Sequence, residues 1–359
     1  MYSLTLIVLL AACSTHRGNL PGQDDEVSAA AGRELFNRTW FAQDARAAGG
    51  DGLGPYYNDS SCVSCHNQGG AGGAGPKHKN VVLRDGTMAA RFSVDAGLYP
   101  VKSNGRQTQR NATALFGAGL IDQVSAAQVE ALAIAQTEQY PWVSGRVARD
   151  PEGRPGRFGW KAERPGLEEF IAVACENELG LRVPMGGAGD DLDLGPRDFY
   201  SLVAYVDSLP APVELARGPQ AEAGHQTFGA LGCVACHVEQ VGTLRGAYTD
   251  LLLHDMGKGL SDDGSSYGRR NEKLVAQTWE GRPDAAEWRT PALWGLRDSS
   301  PYLHDGRADT VDAAVRLHDG EGAPAKAAWV ALDNRQRADV IAFLDTLAAP
   351  YEPSVVAAR

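Results

Sequence analysis

The sequence has no excess of positive charge. Its 34 Lys and Arg stand against 45 Asp and Glu, and the net charge of -11 would repel a phosphate backbone, which disfavours a nucleic-acid partner. Long apolar runs are scarce too. Met1 to Ala12 is apolar, but it is too short to span a bilayer and ends in small residues, the pattern of an export signal. The composition carries no bias toward disorder, collagen or a polytopic membrane protein, since 43% of residues are hydrophobic and 22% charged. What the chain does have in quantity is glycine: 42 residues, clustered in runs such as Gly69, Gly70, Gly72, Gly73 and Gly75, so long Gly-rich loops are expected. Its 359 residues suggest two domains.

Leu10-Ala11-Ala12-Cys13 resembles the bacterial lipobox, which implies a lipid anchor at Cys13 and a chain held at a bacterial membrane, facing the periplasm. No Lys or Arg precedes the apolar stretch, so a plain cleaved signal stays open. Residues 13–30 are polar and punctuated by Gly and Pro, as in a tether.

Six cysteines in an exported chain first suggest disulfides, but four of them fall into two Cys-x-x-Cys-His strings. These are Cys62-Val63-Ser64-Cys65-His66 and Cys233-Val234-Ala235-Cys236-His237. The chemistry behind that spacing is covalent haem attachment. Two thiols add across the two vinyl groups of one porphyrin, and the adjacent imidazole, His66 or His237, binds the iron. A zinc site would need four converging ligands, and a redox dithiol would not need the histidine twice. Cys175 lies in the apolar stretch from Phe170 and reads as a buried thiol rather than a ligand.

The haem strings belong to a larger duplication. Ala31-Gly32 with Phe36 precedes one string and Ala223-Gly224 with Phe228 the other. Each half closes on an apolar stretch, Val203 to Leu209 or Ile341 to Leu347, followed by Pro210 or Pro350; each reads as a short terminal helix stopped by its proline, and resembles the terminal helix that in cytochrome c folds packs across the first one. Arg110-Asn111-Ala112-Thr113-Ala114-Leu115-Phe116-Gly117 repeats as Trp288-Arg289-Thr290-Pro291-Ala292-Leu293-Trp294-Gly295. The expected fold is mainly α, with two tandem cytochrome c-like domains at 31–212 and 213–350 and a tail at 351–359.

This order of segments, with Gly156-Arg157-Phe158-Gly159-Trp160-Lys161-Ala162 and Pro301-Tyr302-Leu303-His304-Asp305-Gly306, resembles the bacterial di-haem cytochrome c peroxidase and MauG-type superfamily. Leu251 to Gly257 and Trp288 to Leu296 resemble its di-haem oxidoreductase branch. The resemblance implies a second axial ligand at the end of a helix after the His-Asp-Gly segment, which here is His318; Met256 and then His254 are the competitors. When the two halves are aligned, that position in the first half becomes Ala174, so the iron held by His66 is expected to keep an open face. His78 is the local alternative and reads as a loop residue. Glu178 resembles the distal acid–base glutamate, with Glu176 as its alternative. Trp160 resembles the tryptophan between the haems, and Asn111 a calcium ligand partnered by main-chain oxygens near Thr290 and Pro291.

The implied activity is a peroxidase-like oxidoreductase with two covalent haem c groups. Hydrogen peroxide or oxygen would react at the N-terminal haem, and electrons from a small cytochrome or cupredoxin, or from an oxidisable substrate, would pass through the C-terminal haem. A non-enzymatic electron-transfer cytochrome and an oxygenase acting on an apolar substrate are the alternatives.

Overall fold

The computed structural model describes residues 27–350 apart from 85–86, 96, 99–106, 187–190, 263–266 and 268–278. The expected signal, Cys13 and the tail at 351–359 lie outside the described residues. Nine α-helices are described. In the first half they are α1 (Ala29–Asn37), α2 (Ala118–Asp122), α3 (Ala126–Gln139), α4 (Leu167–Ala174) and α5 (Pro196–Asp207). In the second they are α6 (Pro219–Ala230), α7 (Val311–Leu317), α8 (Ala323–Ala331) and α9 (Asn334–Leu344). The strands are short antiparallel ribbons, so the fold is mainly helical with long loops. No described helix is long and apolar enough to cross a membrane.

Local chemistry accounts for the helix starts. Ser28 caps α1 by accepting from the Ala31 amide, which begins the helix at Ala29, inside the stretch expected to be tether. Capping boxes open α3 (Ser125 with Gln128) and α9 (Asp333 with Gln336). Proline stands in the first turn of both α5 and α6, where its missing amide is not needed.

Each half is built on a first helix crossing a last helix, α1 on α5 and α6 on α9. Both crossings are so close that only glycine fits. A Cβ added at Gly32 would stand 1.9 Å from the Ser201 carbonyl oxygen, and one at Gly224 would stand 1.8 Å from that of Asp339. The rings beneath repeat the same geometry. Phe36 meets Tyr205 at 5.3 Å and 59°, and Phe228 meets Phe343 at 5.4 Å and 61°. Phe36 lies 6.4 Å from the His66 ring at 49°, and Phe228 lies 6.4 Å from His237 at 50°. Burying each phenylalanine contributes roughly 2–3 kcal/mol.

The two halves are not independent blocks. Val124 and Val129, at and beside α3, share an apolar cluster with Val241, Leu244, Ala247, Leu251, Leu252 and Trp294. Gln136 on α3 reaches further, donating to the Ala235 carbonyl and to Asp250, at 2.6 and 2.7 Å.

Gly224→Ala should therefore lower the unfolding free energy by about 1–3 kcal/mol through overpacking. On the same helix an added Cβ at Gly229 meets nothing within 4 Å. Gly229→Ala should be neutral or stabilising, by up to about 1 kcal/mol. Urea unfolding followed by tryptophan fluorescence distinguishes the two, and equal midpoints would show that the α6–α9 crossing is not this close.

Candidate functional site

Two cavities open beside the Cys-x-x-Cys-His strings. The larger, of about 310 Å³, is lined by Cys233, Cys236, His237, Met256 and His318 among others. The smaller, of about 140 Å³, is lined by Cys62, Cys65, His66, Ala174, Glu178 and Tyr267.

The donor sets suit haem. All four thiols are free, and burial pushes Cys62, Cys65 and Cys233 up to about 12, so they stand as neutral thiols. Burial also lowers His66 and His237 to about 4, leaving neutral imidazoles. In each ring Nδ1 is engaged by a backbone carbonyl, Gly73 at 3.2 Å and Tyr248 at 2.9 Å. Donation from Nδ1 leaves Nε2 as the lone-pair nitrogen that an iron requires. The glycine run is what lets the loop fold back under His66. A Cβ at Gly73 would stand 1.7 Å from the Gln68 carbonyl oxygen.

The two cavities differ on their remaining walls. In the larger one His318, at the end of α7, engages the Ala314 carbonyl through Nδ1 at 2.8 Å, which frees Nε2 in the same manner. Met256 shares this wall: a Cβ on Gly322 would lie 3.1 Å from His318 Cβ and 3.3 Å from Met256 Cε. His254 is committed elsewhere. Its ring nitrogens meet Asp250 at 2.8 Å and Glu321 at 2.7 Å, and although burial opposes its charge, these carboxylates raise it well above the usual histidine range.

In the smaller cavity the aligned position carries only the methyl of Ala174. His78 does not reach this cavity; it is exposed on a short 3-10 turn and lines a separate surface cleft. Cys175 lies in the wall, buried, its thiol driven well above its usual value by burial.

A π-helical turn, Cys175–Leu179, ends α4 and widens its last turn. Of the two candidate glutamates, Glu178 lines the cavity. Both its carboxylate oxygens are held. Asn58 Nδ2 donates to Oε2 at 2.8 Å, and the Tyr267 hydroxyl donates to Oε1 at 2.6 Å. The Asn58 amide also donates to the Glu178 backbone carbonyl at 2.7 Å, which fixes the turn itself.

Trp160 lines both cavities. Its Nε1 donates to the Asn111 carbonyl at 2.8 Å, and its own carbonyl accepts from the Arg289 amide at 2.9 Å. Beside it, His304 stacks on Trp288 at 3.7 Å and 10°. Two cations cover Trp288: Lys161 Nζ at 3.9 Å and the Arg110 guanidinium at 4.7 Å. Both reach the buried carboxylate of Asp262, Arg110 as a direct ion pair and Lys161 at 3.5 Å.

The surroundings of Asn111 do not fit calcium. Its Nδ2 donates to Gly75 O and Asn80 Oδ1, at 2.8 and 2.9 Å. The Thr290 carbonyl accepts from Thr249 and from the buried cation Arg289, so a fixed positive charge already stands where calcium was expected. Calcium needs several converging oxygens, and no calcium chemistry is drawn from this site.

Sequence reasoning missed Tyr267, Asn58 and the Asp262 cluster. Tyr267 sits in an unpatterned Gly/Ser stretch and Asn58 in a loop; neither has periodicity or motif to mark it. Asp262→Asn would leave the two buried cations without their shared carboxylate and should cost about 3–5 kcal/mol of stability. Thermal and urea unfolding check this, and a loss under about 1 kcal/mol would show that the pair is solvent-screened.

A family profile described as "Di-haem oxidoreductase, putative peroxidase" matches residues 201–347. A methylamine utilization protein MauG of Methylorubrum extorquens is 31% identical over 193 residues, covering 52% of this chain and 50% of that one. A cytochrome-c peroxidase, IdrP1, of Denitromonas iodatirespirans is 26% identical over 164 residues, covering 39% of this chain and 43% of that one. This chain thus spans half or less of the length of these relatives. The structure of a MauG-like protein associated with microbial copper homeostasis aligns over 92% of this chain and 91% of that one, at 19% identity and a TM-score of 0.43. Residues 201–347 are thus similar to the di-haem oxidoreductase family, and about half of the chain or less is similar to each of the two curated relatives.

Proposed function

We propose that the protein is a di-haem c-type oxidoreductase of peroxidase type, with peroxide chemistry in the smaller cavity and electron relay through the larger. One observation carries this reading: the wall that offers His318 in one cavity offers the Ala174 methyl in the other, beside a held carboxylate. A haem bound by Cys62, Cys65 and His66 would supply an iron with one face open to peroxide.

The chain's own residues do the rest. Glu178 moves a proton from the near to the far peroxide oxygen, the general acid–base role that turns the leaving oxygen into water. Asn58 and Tyr267 keep that carboxylate from rotating away. His237 and His318 would both hold the second haem, which would supply electron transfer there, with Met256 as the competing ligand. Trp160 joins the two cavities with a single ring. Electrons would come from a small cytochrome or cupredoxin. The proposal includes export, and anchoring through Cys13, which agrees with haem attachment outside the cytoplasm.

Electron paramagnetic resonance of the oxidised protein should show one high-spin and one low-spin haem. His318→Ala should convert the low-spin signal to high-spin; if it stays low-spin, Met256 is the ligand. Two low-spin signals with a Soret band indifferent to peroxide would leave only an electron carrier. Glu178→Gln should keep both spectra while slowing peroxide turnover by roughly 100-fold or more. A haem stain after denaturing electrophoresis should persist in wild type, fall by half in the Cys62→Ala/Cys65→Ala variant and vanish when all four cysteines are replaced.

A further inference from the structure

The smaller cavity contains two oxidisable aromatic rings, and their hydrogen bonds give them different chemistry. Trp160 donates its Nε1 proton to a backbone carbonyl, that of Asn111. A carbonyl is too weak a base to keep that proton, so removing an electron from Trp160 leaves a cation that takes an electron back readily. Tyr267 donates instead to a carboxylate, Oε1 of Glu178 at 2.6 Å, which can keep the proton. Trp288 offers no third option, because Lys161 and Arg110 lie over its ring and would repel a positive charge there.

We infer that Tyr267 is a one-electron, one-proton donor to the N-terminal haem, and that Glu178 receives its proton. The inference rests on the open-faced reading of that haem. Geometry supports it in three ways. Tyr267 lines the cavity that holds Cys62, Cys65 and His66. Its hydroxyl is already in contact with its proton acceptor. Its ring lies 5.7 Å from that of Phe170, an apolar neighbour that would cover part of a radical there. Burial first, then the Glu178 charge, raises the phenol well above its ordinary range, so it does not ionise ahead of oxidation and the two particles leave together.

Cleaving the O–O bond of one hydrogen peroxide takes two electrons, uses the peroxide's own two protons and releases one water, the second oxygen remaining at the haem. One of these electrons would be supplied by the bound haem. The phenol gives the other: its O–H bond breaks, the electron passes to the haem, the proton passes to Oε1 of Glu178 and a phenoxyl radical remains. Two electrons from the donor protein, two protons from solvent and the proton held by Glu178 then release the second water and restore the phenol, the carboxylate and the iron. Tyr267 thus stores an oxidising equivalent when the C-terminal half has no electron to send. The residue comes from the second half of the chain and acts in the cavity of the first, so the storage site forms only when both halves are docked.

The test uses the oxidised holoenzyme, mixed with hydrogen peroxide and frozen, with the Soret band and the organic-radical resonance recorded on the same samples. The expected result is a Soret change in wild type and a slower one in Tyr267→Phe, which has lost one of the two contacts that hold Glu178, with a radical signal in wild type alone. That signal should narrow when the protein carries ring-deuterated tyrosine, keep its width with ring-deuterated tryptophan, and form more slowly in D2O. A Soret change with no tyrosine signal, or the same tyrosine signal in Tyr267→Phe, overturns the inference and leaves the peroxidase reading standing. A Soret band that ignores peroxide in wild type overturns both.

Discussion

In each half a first helix lies directly against the backbone of a last one, and this contact sets the position of everything else. The approach is possible because Gly32 and Gly224 have no side chain to hold the helices apart. The phenylalanines one turn on, Phe36 and Phe228, then present the same face to the imidazoles of His66 and His237. Those rings are buried enough to stay neutral, and each is oriented by a carbonyl at Nδ1. The duplication is therefore physical as well as textual, and it sets two equivalent places for an iron.

The proposed function depends on where that equivalence breaks. The end of α7 carries an imidazole, whereas α4 ends on the methyl of Ala174 and runs into a π-helical turn that carries a carboxylate. An extra residue in a turn rotates the next residues around the helix axis, and the chain uses that rotation to bring Glu178 to the cavity wall. Asn58 and Tyr267, from opposite halves, then hold its two oxygens. The calcium expectation fails for a comparably local reason: Arg289 brings its positive charge to the Thr290 carbonyl.

Between the cavities the protein has placed a graded set of aromatic rings. Trp160 reaches both sides with its N–H on a neutral acceptor, and Trp288 is covered by cations. The same cations converge on Asp262, so the groups that set the electrostatics between the halves also hold the halves together. The docking that brings Tyr267 to Glu178 is part of the same assembly.

The two Cys-x-x-Cys-His strings and the helix that closes each half were legible from residue order, because an attachment string and helix periodicity both impose fixed local spacings. Aligning the two halves was also enough to pair Ala174 with His318, and each lines the cavity of its own half. What only the folded chain decided were the contacts between residues far apart in sequence. Glu178 rather than Glu176, the withdrawal of His254 to Asp250 and Glu321, the removal of His78 to another cleft, and the approach of Tyr267 all depend on loops whose sequences carry no period. A spacing rule acts within a few residues, whereas these contacts are set by how two helical halves and their glycine-rich loops pack.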